Sequence, residues 1–335
     1  MRRNTLTLAA IAALLPLVGC SDATNANSRP RIAYVTNGVD PFWTVAEAGA
    51  KQAGEDLAVD VLVRMPSGGL VDQKQILEDL LTQGVDGIAV SPIDHVNQTS
   101  FLDDVATRVP LVTHDSDAPG SKRLAFVGMD NYDAGRMAGA ALEKALPQGG
   151  EVMLFIGRLE QDNARLRVQG VVDELLDRAR DDSRRDAPDA VLRGERYTVL
   201  GVMTDQFDKS VAKANAADAL TAHPEIDAMV GLFAYNPPAI LEALRQAGKL
   251  GTVTVVGFDE QDATLQGIVD GDVAATVVQD PYQYGYQSVL MLTRIARGDQ
   301  DAVPASGLVD IPARTIGPAE VEAFWTDKKA KLGEK

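Results

Sequence analysis

The chain has 335 residues, enough for two lobes of ordinary domain size, and its 45% hydrophobic and 24% charged content is that of a globular protein. With 48 acidic against 32 basic side chains it carries a formal charge of −16, and so acidic a surface repels phosphate backbones and excludes a general nucleic-acid binder. One cysteine and three histidines allow no internal disulfide and leave little material for a metal centre, so no metal or other cofactor is expected.

Residues 1–19 read as a signal peptide rather than as part of the fold. Arg2 and Arg3 form a basic start, and residues 6–18 form an apolar stretch too short to span a bilayer comfortably. The stretch ends in Leu17-Val18-Gly19-Cys20, which has the form of a bacterial lipobox. A plain secretory signal with an accidental cysteine is the other reading. The lipobox reading gives the only thiol a use: acylation of Cys20 holds the chain to a membrane, outside the cytoplasm. Residues 20–30 are then a small-polar tether.

From Arg31 onward, short β-branched runs alternate with amphipathic stretches. Strands are predicted at 31–36, 59–65, 87–91, 110–114, 124–128, 151–156, 197–203, 228–232, 252–258 and 274–279. Between them lie helical patterns, as over 70–82, where Leu70, Ile76, Leu77, Leu80 and Leu81 share one broad face. Such alternation predicts an α/β fold with parallel, doubly wound sheets covered by helices. About ten strands exceed one such sheet, which points to two sheets in two lobes. Residues 178–196 are densely charged with both signs mixed, and read as a solvated helix end plus loop.

Enzyme signatures are missing: no phosphate-binding G-x-x-x-x-G-K-[ST], no G-x-G-x-x-G and no G-x-S-x-G occurs. His95, His114 and His223 are scattered. His114 sits beside Asp115 at a predicted strand end, where a general base and a structural histidine are both conceivable. What remains is polar and aromatic residues at strand ends, where open α/β sheets bind ligands. After the first strand, Asp40 can cap a helix and Pro41 suits its first position. Phe42 and Trp43 follow, either sealing core or stacking on the C–H faces of a sugar.

These residues resemble the type I periplasmic solute-binding proteins, most closely the ribose-binding branch. The resemblance runs from Arg31 to about Ile311. It rests on Asp40-Pro41-Phe42-Trp43, Thr113-His114-Asp115-Ser116-Asp117 and Val127-Gly128-Met129-Asp130-Asn131. Further on come Thr221-Ala222-His223-Pro224, Val255-Val256-Gly257-Phe258-Asp259 and Ala274-Ala275-Thr276-Val277-Val278-Gln279.

The resemblance implies two Rossmann-like lobes joined by a three-strand hinge, with crossovers near 128–130, 279–280 and 309–311. The N-terminal lobe would take 31–129 plus 280–309, and the C-terminal lobe 130–279 plus 310–335. Asp40 then takes the family's polar residue before Pro, and Phe42 and Trp43 its stacking pair. Ser91 falls where members often have Asn, and Asp115 matches the sugar-binding Asp. Ser116 stands where ribose binders commonly have Arg, so one charged clamp is missing. In the second lobe Arg167 matches the binding Arg, Phe207 the pocket aromatic, Asp259 the hydroxyl-binding Asp and Gln279 the crossover Gln. A further contact is Phe233 by a gapless count, or Asn236 by chemistry and the helix start; Asn236 is the choice made here.

The function so implied is a monomeric, lipid-anchored receptor that captures a monosaccharide and hands it to an ABC transporter permease, without catalysis. A sensory sugar receptor has the same features. A LacI-type regulator needs a DNA-binding segment where this chain has a signal and tether. An enzyme using Asp115 and Asp259 as a carboxylate pair predicts turnover of the sugar.

Overall fold

The computed structural model describes residues 29–334, so the signal, Cys20 and the first part of the tether lie outside the described residues. The first half of the chain runs β1 (Arg31–Val35), α1 (Pro41–Leu57), β2 (Asp60–Arg64), α2 (Gly69–Thr82), β3 (Gly87–Val90), α3 (Thr99–Ala106), β4 (Leu111–His114) and β5 (Phe126–Gly128). It continues through α4 (Asn131–Ala145), β6 (Gly150–Ile156), α5 (Asp162–Leu175), β7 (Leu192–Arg193), β8 (Tyr197–Thr204), α6 (Lys209–Ala222), β9 (Ala228–Gly231) and α7 (Asn236–Ala247). The last elements are β10 (Thr254–Phe258), α8 (Asp262–Asp270), β11 (Ala275–Val278), α9 (Pro281–Ala296), β12 (Leu308–Asp310), β13 (Arg314–Ile316) and α10 (Val321–Lys331).

Two sheets form. The first has the order β12-β5-β4-β3-β1-β2 with every pair parallel, and the second the order β13-β11-β10-β9-β6-β8-β7. Without their edge additions the two share one winding: second strand, first, third, fourth, fifth. Parallel strands buried on both faces need continuous apolar runs, which Ile88–Val90 and Val152–Ile156 supply. The edge strands β7 and β13 pair antiparallel.

The chain passes between sheets three times: at Met129–Asp130 after β5, at Gln279–Asp280 after β11, and over residues 311–313 between β12 and β13. The first two passages end in helix caps. Asp130 accepts from the Asp133 N–H at 3.0 Å, and Asp280 from the Gln283 N–H at 3.2 Å. Each lobe also holds one helix pair in backbone contact through glycines. A Cβ on Gly49 of α1 would lie 1.9 Å from the Tyr282 carbonyl oxygen at the start of α9, and one on Gly135 of α4 2.2 Å from that of Arg167 in α5. Glycine is required there because any side chain would force the helices apart.

Three strands escaped the sequence reading: β7, β12 and β13, short edge strands that are mostly exposed and so lack a buried apolar run. The charged stretch also differs from expectation. It is a strap rather than a free loop. Arg184 and Arg178 reach the fully buried Asp173 at 2.5 and 3.5 Å, and Tyr132 donates to the same carboxylate at 2.6 Å. Arg180 pairs with the cap residue Asp130 at 2.7 Å. The mixed signs that suggested mere solvation are the two halves of a network.

Candidate functional site

The carboxyl ends of the two sheets face each other across a cavity of about 250 Å³. Nearly every residue on its wall comes from a segment that follows a strand, the ligand edge of an open parallel sheet.

On the first lobe, β4 ends in His114 and the next residue, Asp115, turns into the left-handed region at φ 58°. An aspartate tolerates this conformation better than most side chains do. Its Oδ2 is well supported: the Ser91 hydroxyl donates at 3.0 Å and Asn37 Nδ2 at 3.4 Å, while Asn37 also donates to Ser91 Oγ at 3.0 Å. His114 lies beneath as structure. Its Nε2 donates to the Val35 carbonyl at 3.1 Å, and its Nδ1 accepts from the Tyr34 hydroxyl at 3.1 Å. Burial drives its pKa down to about 3, so it stays neutral, and it does not line the cavity. Asp40 caps α1 through the Phe42 N–H at 3.2 Å. Phe42 and Trp43 meet edge to face at 4.8 Å; both line the cavity, and Trp43 also belongs to the core of its lobe.

The second lobe repeats the device. Asp259 follows β10, the strand equivalent to β4, and also turns left-handed at φ 64°. Gln279 Nε2 donates to its Oδ1 at 2.7 Å. Burial, offset by Arg167 and Gln279 and reinforced by Asp115, raises its pKa to about 7. Asp115 is raised as well by burial, against the pull of Arg167 and its three amide and hydroxyl donors. Arg167 is 1% exposed. Its Nε donates to Asn131 Oδ1 at 2.9 Å, its Nη1 to the Leu232 carbonyl at 3.2 Å, and its guanidinium lies 4.2 Å over the Phe258 ring. Its Nη2 has no hydrogen-bond partner and stands 3.7 Å from Asp115 Oδ1, across the cleft. Phe207 and Phe233 stack at 5.5 Å to complete an aromatic wall.

The lobes are closed on one another. Asn163 of α5 donates to Asp115 Oδ2 at 3.2 Å. Lys209 and Gln261 of the second lobe reach Asp40 of the first at 3.1 and 3.3 Å.

Of the expected contacts, Asp40, Phe42, Trp43, Asp115, Arg167, Phe207, Asp259 and Gln279 line this one cavity. Ser91, Ser116 and Asn236 do not. Ser91 stands behind Asp115 as its donor, and Ser116 is fully buried. For Asn236 the geometry reverses the choice made from sequence: Phe233 is on the wall and Asn236 behind it. Its Oδ1 accepts from the Phe233 N–H at 3.0 Å and its Nδ2 donates to Asp205 at 2.8 Å. Asp205, which also accepts from the Tyr235 hydroxyl at 2.5 Å and the Phe207 N–H at 2.9 Å, thereby orders the aromatic wall.

The sequence reading missed Asn37, Asn163, Arg158, Gln161, Lys209 and Tyr235, all on the wall. Gln161 is the most pointed of these. It occupies the N-cap position of α5 without capping it, is 0% exposed, and neither its amide nitrogen nor its oxygen has a partner. Asn37 stands three residues before Asp40 and Asn163 four before Arg167, and their amides beside those expected contacts were the available signal. Gln161 carried none, because only tertiary packing turns a cap-position side chain inward.

Two sheets of one winding, three passages between them and a closed polar and aromatic cavity at the facing strand ends define a two-lobed binding protein. The chain belongs to the periplasmic binding protein family: residues 32–300 match the model described as periplasmic binding protein domain, and its relatives make it a type I, ribose-binding-like member. It is 26% identical over 298 residues to the ribose import binding protein RbsB of Salmonella typhimurium, covering 87% of this chain and 93% of that one. To the D-ribose/D-allose-binding protein of Pseudomonas aeruginosa it is 26% identical over 325 residues, covering 93% and 95%. Among solved structures, GanP, a glucose-galactose binding protein from Geobacillus stearothermophilus, superposes with a TM-score of 0.77 at 27% identity, over 88% of this chain and 99% of that one. A solute binding protein from Burkholderia graminis, in complex with D-arabinose, gives 0.79 at 24% identity over 88% and 96%, a likeness of fold alone.

Proposed function

We propose that the protein captures one sugar ring, a ribose-like pentose or related monosaccharide, between its lobes and delivers it to an ABC importer. In this reading it works outside the cytoplasm as a monomer, held to a membrane by lipid on Cys20, and no bond is made or broken. The names of the relatives and the residues of the cavity support it together.

The observation that carries it is a mismatch between the two walls. Asp115 and Asp259 offer acceptors, while Arg167 Nη2 and the Gln161 amide are buried without partners. Leaving such groups unpaired costs roughly 1–3 kcal/mol each. A polyhydroxyl ring donates to the carboxylates, accepts from the guanidinium and amide, and lays its C–H faces against Phe42, Trp43 and Phe207. Asp40, Asp115, Asp259, Arg167 and Gln279 are the proposed hydroxyl partners from the sequence reading, now with Asn163 and Gln161. Ser91 and Asn236 hold them in place.

Hinge motion follows from the same contacts. Asn163, Lys209 and Gln261 bond across the cleft, so closure is favoured when a ring fills the space between them. Ligand then shifts the open–closed balance by its better affinity for the closed form. The test is calorimetric titration of pentoses and hexoses with recovery of the sugar afterwards. Binding with unchanged sugar supports a receptor, and turnover would replace it with an enzyme. Cys20→Ser should release the protein from membranes; retention would end the anchor reading.

A further inference from the structure

A second cavity of about 450 Å³ lies beside the first and shares Phe42, Ala234 and Asp259 with it. Its other walls are the first turn of α1, with Thr44 and Val45, the 260–263 turn before and into α8, and the end of α10. Glu260 lines it, is 6% exposed, and its Oε2 has no hydrogen-bond partner. The neighbouring cation is engaged elsewhere: Lys328 Nζ donates to the Glu260 carbonyl oxygen and to Asp262 Oδ1, each at 2.7 Å. Burial, reinforced by Asp259 and only partly opposed by Lys328, pushes the Glu260 carboxyl well above the usual carboxylate range, toward the protonated form. A neutral carboxyl both donates and accepts, which suits a hydroxyl. Pro41, Val45 and Ala263 add apolar lining. A polar reading group against an apolar wall, with an aromatic ring at the junction, is the environment of another sugar ring.

We propose that this second cavity is a subsite for the second ring of a disaccharide, with Phe42 at the junction of the two compartments and Glu260 reading a hydroxyl of the outer ring. The proposal rests on the reading that the first cavity holds a sugar ring. It narrows the ligand from a free monosaccharide to one that carries a glycosidic extension.

The test is calorimetric titration of the purified protein with D-glucose, D-galactose, D-ribose and D-arabinose beside maltose, cellobiose, lactose and melibiose. A disaccharide should bind at least roughly tenfold more tightly than its constituent rings, the fold-change expected for one or two added buried hydrogen bonds. Glu260→Leu should abolish that gain and leave monosaccharide binding within about threefold. Ala263→Phe, on an exposed position of α8, should do the same by filling the cavity, which guards against a folding defect at the buried Glu260. Disaccharides no tighter than their rings, or Glu260→Leu weakening both sizes equally, would overturn the subsite. Failure of the wild type to bind any of these sugars would remove the sugar-ring reading itself, and the subsite with it.

Discussion

The two lobes share a winding and place an aspartate at the same left-handed turn, yet their walls are finished differently. Around Asp115 the first lobe supplies its own donors, Ser91 and Asn37, over a stacked Tyr34–His114 pair. The second lobe leaves Arg167 Nη2, Arg158 Nε and both ends of the Gln161 amide without partners. Around Asp115 only Ser116 Oγ, buried off the wall, lacks a partner, whereas the second lobe leaves several wall groups unpaired. On the proposed reading, specificity in the first cavity falls mainly to the second lobe, and substitutions should separate the two.

The largest effect is expected at Arg167. Arg167→Ala removes a buried cation that touches both walls, and should weaken sugar binding by roughly two orders of magnitude or more. Near-normal affinity on titration would take it out of the site. Next come the helix-pair glycines, one close-packed pair within each lobe. Gly135→Ala pushes against the Arg167 carbonyl and should lower both melting temperature and affinity. Gly285→Ala, whose Cβ would lie 2.0 Å from the Ala46 carbonyl oxygen, should lower melting temperature with far less loss of affinity per degree. Equal coupling in both variants would contradict the division of labour.

Gln161→Leu is expected to cost roughly ten- to a hundredfold in affinity. It should also leave the ligand-free protein as stable or more so, since an unpaired buried amide is removed. A variant that is destabilised with affinity intact would make Gln161 structural.

A smaller, pH-linked effect belongs to Asp259. Its folded pKa of about 7 lies above the ordinary 3.8, so the folded state holds the proton more tightly and this group takes stability away as pH rises from about 4 to 7. His114, lowered to about 3, acts in the opposite sense, adding stability as pH rises from 3 towards 6.5. Asp259→Asn isolates the first effect. Its melting temperature should gain on wild type between pH 5 and pH 8, while wild-type affinity tightens as the carboxylate ionises. A constant gap across that range would show that Asp259 is already ionised at pH 5.

The smallest effect is at the cleft mouth. Lys209→Met loses an exposed partner of Asp40 and should speed ligand release only a few-fold, a difference that high salt erases. Stopped-flow release in low and high salt would check it, and a salt-independent change would rule out the ion pair as the cause.

The fold was legible because buried parallel strands must read as continuous apolar runs, and ten of the thirteen strands did. The strands β7, β12 and β13 were not: they are two- or three-residue edge strands, mostly exposed, without the buried apolar run that marked the equally short β5. In the site, Asp115 and Asp259 came through the family resemblance, and the structure supplies the physical reason: each directly follows a buried strand, where the backbone turns left-handed. Arg167 came through the family resemblance, and its burial between Phe258 and the cleft gives the physical reason an arginine stands there. Asn236 misled because its amide and the following prolines fit both a helix cap and a ligand contact. Only the position of Asp205, 31 residues earlier in the chain, decides that the amide points inward. Gln161 was invisible for the same reason, since its role depends on what is missing around it in space.

The most direct test of the division between the lobes is calorimetric titration of sugars against wild type, Ser91→Ala and Gln161→Leu in parallel. The account predicts that Gln161→Leu loses affinity, and that Ser91→Ala, which leaves Asn37 and Asn163 on Asp115, loses clearly less. The reverse order, with Ser91→Ala the weaker binder, would place recognition on the first lobe and contradict it.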